Sequence, residues 1–193
     1  MCGFTGFYFN HQKSELDIES IVAKMADTLE HRGPDDSGVW CDPSIGIALG
    51  HRRLSIVDLS PSGHQPMISR NHQFVIALNG EIYNHVELRN ELELLNPDHN
   101  WNGHSDTETL LAGFEEWGVE KTLEKSVGMF AIALWDIKTK KLSLIRDRFG
   151  EKPLYFGWIY TDNGKIFAFG SELKALKAFP GFKNGIARDS LKQ

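Results

Sequence analysis

The chain has 193 residues, of which 41% are hydrophobic, and a formal net charge of -5, values typical of a folded protein and not of a disordered tail. Like charges do not cluster, and no apolar run approaches the roughly 20 residues that cross a bilayer, so the sequence predicts neither a nucleic-acid partner nor a membrane span. Two cysteines without a secretion signal favour a cytoplasmic protein with free thiols, acting on a small polar substrate.

The N-terminus places a thiol close to an α-amine. Gly3 to Phe9 alternate between two sets of side chains and predict a strand that begins directly after Cys2. Removal of Met1 would give Cys2 a free α-amine, so that one residue supplies both a nucleophile and a base. This arrangement indicates an N-terminal nucleophile. Retention of Met1 would turn the amine into an amide and remove the base.

The next segment alternates between helix and loop signals. Apolar residues spaced about every 3.6 positions from Ile18 to Leu29 predict a helix, which Gly33-Pro34 ends. His31–Asp35 then lies in a loop, which we interpret as a wall beside Cys2 and not as a catalytic or metal site, since no histidine pair shows metal-ligand spacing.

Strand and turn patterns follow. Ile45–Gly50 and Leu54–Val57 predict two strands interrupted by the basic triplet His51–Arg53, and Ser60–Pro66 predicts turns. A further strand is predicted over Phe74–Leu78, and it ends at Asn79-Gly80.

Helices dominate the middle of the chain. A short helix is predicted by the spacing of Leu88, Leu92 and Leu95. Ser105 followed by Glu108 is a capping-box pattern that predicts the start of a second helix. Asp106 would then lie in the first helical turn, where an acidic side chain also suits the helix dipole.

The second half of the chain predicts two hairpins in series, the later one across residues 162–164. Antiparallel hairpins exclude a doubly wound parallel sheet, so we predict an α+β fold of two antiparallel sheets packed face to face, with helices outside. No repeat or linker divides the chain, which predicts one domain over residues 2–193, with the stretch after Pro180 beginning a further connection. The four strands are Met129–Trp135, Lys141–Arg146, Leu154–Ile159 and Lys165–Phe169.

Five spaced motifs point to a known family. They are Met1–Gly3, His31–Asp35, His51–Asp58, Asn79–Asn84 and Ser105–Glu108. In this order they resemble the class II glutamine amidotransferases, in particular the glutaminase domain of glutamine-hydrolysing asparagine synthetases. The resemblance implies an Ntn-hydrolase fold of four layers, α/β/β/α. It also implies that glutamine is hydrolysed to glutamate and that the ammonia passes to a second, ATP-using domain. It extends over Arg146–Gly150, Pro153–Tyr155 and Ser171–Lys174.

The resemblance implies how the amide of glutamine is cleaved. Cys2 would attack the side-chain carbonyl and form a glutamyl thioester, while its own amine transfers the protons. Asn79 and Gly80 would donate hydrogen bonds to the oxyanion. By residue type alone, Asn-Gly is more typical of a plain turn.

The resemblance also implies how glutamine is held. A planar guanidinium suits a carboxylate, and the motif assigns the substrate α-carboxylate to Arg53 and not to Arg52. Asp106 would bind the α-ammonium group, with Glu81 as a second acceptor. Without the resemblance, either arginine reads as a solvated surface residue and Asp106 as a helix cap. The implied glutamine-binding residues are Arg53, Leu54, Ser55, Ile56, Val57, Asn79, Gly80, Glu81 and Asp106.

Cofactor and partner expectations follow from the same motifs. Neither a glycine-rich phosphate loop nor a Ser-Gly-Gly-x-Asp-Ser pyrophosphate loop occurs in the sequence, so we expect ATP and Mg²⁺ only in a C-terminal synthetase domain or subunit outside this chain. The expected partners are glutamine, that synthetase and, as an option, a second copy in a homodimer. No metal or cofactor is expected in the chain itself.

The predicted activity is the glutaminase half of an asparagine synthase in amino-acid biosynthesis, with aspartate or a related carboxylate as the ammonia acceptor. Two alternatives stay open. One is another class II amidotransferase, which would amidate a sugar acid or a phosphosugar. The other is an inactive regulatory or binding module that keeps the fold, which retention of Met1 would favour.

Overall fold

The computed structural model describes residues 1–9, 17–161 and 164–185, so the turn predicted at 162–164 lies largely outside the described residues. In this part the chain forms two antiparallel sheets. The first has the strand order β2-β3-β1-β9-β8 and the second the order β4-β5-β6-β7. The strands are β1 Gly3–Tyr8, β2 Asp36–Asp42, β3 Ile47–Arg53, β4 Met67–Ile68, β5 Phe74–Ile82, β6 Gly128–Asp136, β7 Lys141–Arg146, β8 Tyr155–Thr161 and β9 Gly164–Gly170.

Helices cover the outer faces of the two sheets. Short 3₁₀ turns at Glu30–Arg32 and Pro61–Gly63 supplement them. None of the helices in the described ranges is long and apolar enough to cross a membrane. The α-helices are α1 Ile18–Asp27, α2 His85–Leu95, α3 Asp106–Glu116, α4 Val119–Lys125 and α5 Leu173–Lys177.

Three hydrophobic cores define the four layers. Helices α1 and α5 pack on the outer face of the first sheet, and α2, α3 and α4 on the outer face of the second. The third core lies between the sheets and contains Phe4, Leu49, Ala77 and Phe169. The prediction of two antiparallel sheets face to face with helices outside is therefore confirmed.

Strand β1 is buried on both faces. Phe4 points into the space between the sheets, whereas Phe7 packs against the α1 layer, because successive side chains of a strand point to opposite faces. The strand also has a neighbour on each edge, β3 and β9. Cys2 is therefore attached to one of the most constrained segments of the chain.

The structure corrects the prediction of two strands interrupted by a basic triplet. Strand β3 runs through His51–Arg53, and Leu54–Val57 is not a strand. The triplet fits because β3 pairs with both β1 and β2, and each charged or polar side chain finds a partner on its own face. Arg52 points outward to Asp27 at the end of α1, whereas His51 points between the sheets.

A second correction concerns Asn79-Gly80, which neither forms a turn nor ends a strand. Strand β5 continues to Ile82, in unbroken register with β6. Gly80 is required here by close packing: a Cβ atom on it would lie 2.4 Å from the carbonyl oxygen of Met129. Asn79-Gly80 favours a turn by residue type. It fits a strand here because Gly80 has no side chain at the crowded position.

Four short elements were not predicted from the sequence. Strand β2 contains Asp, Ser and Gly, which are poor strand formers, and it is held as an edge strand by pairing with β3. Strand β4 has two residues, and α4 and α5 have seven and five. Such lengths give too few periods for a hydrophobic pattern to be recognised.

Candidate active site

Cys2 lies at the start of β1, where its thiol contacts the backbone that follows β3. The Sγ atom is 3.4 Å from the nitrogen of Leu54 and 3.6 Å from its carbonyl oxygen. Arg32 donates from Nε to the carbonyl oxygen of Cys2 at 2.9 Å. The motif that contains Arg32 therefore lies beside the nucleophile, as predicted, and none of its groups hydrogen-bonds to the thiol.

An open cavity at this end of the two sheets brings together most of the predicted site residues. The exception is Ser55, which does not line it and donates its N–H to Oδ2 of Asp35 at 2.8 Å. The predicted residues that line the cavity are Cys2, Arg53, Leu54, Ile56, Val57, Asn79, Gly80, Glu81 and Asp106. Its other lining residues are Met1, Asp58, Gly63, Gln65, Leu78, Ser105, Thr107, Met129 and Lys152.

Asn79 presents a buried amide that is free to bind a ligand. Its side chain is 1% exposed, and neither Nδ2 nor Oδ1 has a hydrogen-bond partner among the described residues. A buried polar group left unpaired costs about 1–3 kcal/mol. Such a group at a cavity that also contains Cys2 is suited to donate to a negative charge that develops on a substrate.

Arg53 is held in a fixed orientation at the cavity. Its side chain is on the same face of β3 as His51, which directs it between the sheets, and it donates to the carbonyl oxygens of Ser60 and Asp58. Gly63 allows this position, because a Cβ atom there would lie 2.0 Å from Nη2 of Arg53. A guanidinium has five N–H donors, so three remain for a carboxylate ligand.

Asp106 is the first residue of α3, but it does not cap that helix. Ser105 is the N-cap, and its hydroxyl accepts from the N–H of Glu108. Asp106 instead accepts from the N–H of Ile82 and of Thr107, both at 2.9 Å. Burial raises the pKa of the Asp106 carboxyl, although the two backbone hydrogen bonds act in the opposite direction. Its position at the cavity fits a buried acceptor for a cationic group.

The thiol of Cys2 needs a base. Burial raises its pKa above the ordinary value, and the carboxylate of Asp106 adds to this effect. The Leu54 N–H, the α-amine of Met1 and Arg53 lower the pKa but do not offset the effect of burial. The thiol is therefore protonated at neutral pH and becomes a nucleophile only when a neighbouring group accepts its proton.

Three histidines near the motifs have partners other than the Cys2 thiol. His31 pairs with Glu172 at 2.9 Å and His64 with Asp36 at 2.8 Å. His51 is fully buried and contacts the carbonyl oxygen of Leu78 at 3.0 Å from Nε2. None of these three side chains hydrogen-bonds to the thiol, which for His31 agrees with the interpretation of its loop from the sequence.

Gln65 and Lys152 are among the lining residues that the sequence did not assign to the site. Gln65 is 6% exposed and links the N–H of Leu78 to the hydroxyl of Thr107. Lys152 is 5% exposed, and its Nζ lies 3.3 Å from Sδ of Met1. Both residues come from turn segments in which a single polar residue carries no pattern, so only the fold brings them to the site.

Comparison with known proteins agrees with this geometry. The glutamine amidotransferase domain family matches residues 1–193. Glutamine-hydrolyzing asparagine synthetase 3 of Bacillus subtilis (strain 168) is 40% identical over 195 residues, which cover 100% of this chain and 30% of that protein. Asparagine synthetase 1 of the same organism is 40% identical over 177 residues, which cover 91% and 26%. The chain thus spans less than a third of these relatives.

A solved structure supports the fold. The glutamine phosphoribosylpyrophosphate amidotransferase of B. subtilis superposes with a TM-score of 0.74 at 19% identity, over 93% of this chain and 44% of that one. This confirms the four-layer Ntn-hydrolase arrangement expected from the motifs. On the match over its whole length, the chain belongs to the glutamine amidotransferase domain family.

Proposed function

We propose that this chain hydrolyses glutamine to glutamate and ammonia and that Cys2 is the nucleophile. The observation that carries the proposal is one cavity that joins a half-buried thiol, an unpaired buried amide, a fixed guanidinium and a buried carboxylate. These four groups match the four needs of an amide hydrolase for an amino acid: a nucleophile, an oxyanion donor, a cation and an anion.

The first half of the reaction releases ammonia. Once Met1 is removed, the α-amine of Cys2 accepts the thiol proton, and Sγ forms a bond with the side-chain carbonyl carbon of glutamine. Asn79 and the N–H of Gly80 bind the resulting oxyanion. When the C–N bond breaks, the protonated amine returns its proton to the leaving nitrogen, and a thioester remains.

The second half regenerates the thiol. Water gives a proton to the α-amine and attacks the thioester carbon, and the C–S bond breaks. The sulfur recovers the proton as glutamate leaves. Arg53 holds the α-carboxylate and Asp106 the α-ammonium group of the substrate throughout, so their free energy of binding contributes to positioning the amide above Cys2.

The proposal includes a synthetase partner. The B. subtilis relatives are asparagine synthetases more than three times as long as the region they share with this chain. We therefore propose that a C-terminal synthetase domain or subunit, which binds ATP and Mg²⁺, uses the ammonia to amidate aspartate or a related carboxylate. The free thiols of Cys2 and Cys41 support a reducing, cytoplasmic location for this reaction.

The test begins with the N-terminus. Intact mass spectrometry should show loss of Met1, and the processed chain should release equal amounts of glutamate and ammonia from glutamine. Cys2→Ala should abolish both products, because neither a thiolate nor a thioester can form. Cys41→Ala is the matched control, since Cys41 lies outside the cavity, and it should keep the activity.

Two outcomes would contradict the proposal. Ammonia release that survives in Cys2→Ala would reject the nucleophile. A chain that keeps Met1 in its native preparation and does not hydrolyse glutamine would instead favour the inactive regulatory module.

A further inference from the structure

The outer edge of β5 leaves one residue open to a ligand. Beyond Ile76 this edge has no strand partner in the described part of the chain, because β4 pairs only with Val75 and Ile76. In an antiparallel strand every second residue directs both its N–H and its C=O to the same edge. Leu78, Gly80 and Ile82 therefore direct their backbone groups outward.

Side chains occupy two of these three positions. At Ile82, the N–H donates to Asp106 at 2.9 Å, and the C=O contacts Nδ1 of His85 at 3.0 Å. At Leu78, the N–H donates to Oε1 of Gln65 at 2.7 Å, and the C=O accepts from Nε2 of His51 at 3.0 Å. At Gly80, no side chain of the described residues takes either group, and Gly80 itself lines the cavity.

The two bonds at Leu78 fix both peptide planes that lead into the oxyanion site. Gln65 holds the plane between Ala77 and Leu78, and His51 holds the plane between Leu78 and Asn79. Peptide planes are rigid, so fixing the second one limits the direction in which Asn79 projects. The Gly80 N–H belongs to the next peptide plane, so the same constraint reaches it only through Asn79.

His51 also joins the two sheets at the site. It belongs to β3, where it pairs with Phe4, two residues after Cys2 in the chain. Leu78 belongs to the other sheet and directly precedes Asn79. The nucleophile and the oxyanion donors are therefore on different sheets, and the His51 hydrogen bond crosses between them. Since a carbonyl only accepts, Nε2 carries the proton and Nδ1 is left buried without a partner among the described residues.

We propose that His51 and Gln65 are positioning residues that clamp Leu78 by binding its outward C=O and its outward N–H, and so hold Asn79 and Gly80 at the correct distance from Cys2. This inference rests on the proposed glutaminase function. Neither residue touches the reacting atoms in this role. Their removal should therefore slow the chemical step without weakening the capture of glutamine by Arg53 and Asp106.

The experiment compares clamp variants with a matched control on the same strand edge. His51→Leu removes the donor, and His51→Gln restores an amide donor near the Nε2 position. Gln65→Met removes the acceptor for the Leu78 N–H. The control is Ser69→Ala: Ser69 is also buried, and its hydroxyl accepts from the N–H of Phe74 on the same edge, but it lies outside the cavity.

For the processed chain, His51→Leu should lower kcat for glutamine by about 10- to 100-fold, less than the roughly 10²- to 10³-fold loss of a direct oxyanion donor. Its KM should stay within about threefold, as should glutamine affinity measured by calorimetry in a Cys2→Ala background. His51→Gln should recover most of the lost kcat. The kcat of Gln65→Met should lie between those of His51→Leu and His51→Gln. Ser69→Ala should keep the kcat of the wild type.

The remaining outcomes decide between the proposals. If the wild type hydrolyses glutamine and His51→Leu matches Ser69→Ala in kcat, the clamp is rejected and the glutaminase function stands. If the wild type is inactive, amide hydrogen exchange at Gly80 decides: faster exchange in His51→Leu than in Ser69→Ala supports the clamp, and equal rates reject it. If His51→Leu fails to fold, the test uses Gln65→Met. A kcat for Gln65→Met equal to that of the wild type would overturn the clamp.

Discussion

The two ends of the space between the sheets are built differently from the same strands. At one end, Val75 and Ala77 of β5 pack with Phe4 in a closed apolar core, and all three are fully buried. Two residues beyond Ala77, the same face of β5 carries Asn79, whose buried amide has no partner among the described residues. Strand β5 therefore contributes Ala77 to the closed apolar core and Asn79, two residues later, to the open polar site.

This difference separates residues that stabilise the fold from residues that act on a ligand. An apolar side chain in the closed core contributes to the free energy of unfolding through its burial. An unpaired amide contributes nothing of that kind and costs about 1–3 kcal/mol, which a bound ligand recovers. Mutations in the closed core should therefore reduce stability more than activity, and mutations at the open site should reduce activity more than stability.

The largest expected effect is that of Asn79→Ala compared with Val75→Ala. Asn79→Ala should lower kcat for glutamine by about 10²- to 10³-fold, because an oxyanion donor is lost. Its free energy of unfolding should stay within about 1 kcal/mol of the wild type, since the substitution removes an unsatisfied polar group. Val75→Ala should keep kcat and lose about 2 kcal/mol of stability. Steady-state kinetics and urea unfolding measure both.

Equal losses of stability in both variants would contradict this separation. A loss of kcat in Val75→Ala as large as in Asn79→Ala would show that the closed core also sets the catalytic geometry, and the two ends would then form one cooperative unit.

The second prediction sharpens the comparison across the two faces of β3. Arg53→Ala should raise the KM for glutamine by about 10- to 100-fold, because a charge-assisted contact to a carboxylate contributes about 1.5–3 kcal/mol. Arg52→Ala is the matched control: Arg52 is adjacent in sequence but points outward to Asp27, and its KM should stay near that of the wild type. The reverse ranking would show that the wrong arginine was assigned to the site.

Layers and long strands of this fold were predictable from the sequence, because hydrophobic periodicity reports burial directly. Strand β6 carries a continuous apolar run that is buried on both faces, and the prediction of a strand from Met129 to Trp135 was confirmed. The helix start predicted at Ser105 was confirmed for a different reason, since the local sequence encodes the hydrogen bond from the Glu108 N–H to the Ser105 hydroxyl. The course of β3 through the basic triplet was not predictable, because its polar residues are satisfied by partners distant in the chain.

The site shows the same division. Asn79-Gly80 resembled a turn because the residues have that intrinsic preference, and only pairing with β6 keeps them in a strand. Gln65 and Lys152 lie in turn segments without a periodic pattern, and the folded chain alone brings them to Cys2. Residues whose role depends on a contact across the fold are those that sequence analysis misses.

The third prediction tests whether Asp106 acts on the ligand or on its helix. Asp106→Asn should raise the KM by about 10-fold, because the neutral amide loses the charge interaction with the α-ammonium group. Glu108→Gln is the control on the same helix, since Glu108 accepts from backbone N–H groups of residues 102 and 103 and lies outside the cavity. If both variants raised the KM equally, Asp106 would be a structural residue that binds the N–H groups of Ile82 and Thr107 and not the ligand.

The smallest effect concerns pH and follows from the raised pKa of Asp106. Only the ionised carboxylate attracts the α-ammonium group, so glutamine affinity should decline as the pH falls through the pKa of Asp106 in the free protein. Because burial raises that pKa, the decline should begin above the range near pH ~4 where an ordinary aspartate titrates.

Calorimetric titration in the Cys2→Ala chain measures the affinity without turnover. The double variant with Asp106→Asn should show no such decline, so the ratio of the two affinities should approach one at low pH. A ratio that stays constant with pH would mean that Asp106 is not the group that senses the ammonium.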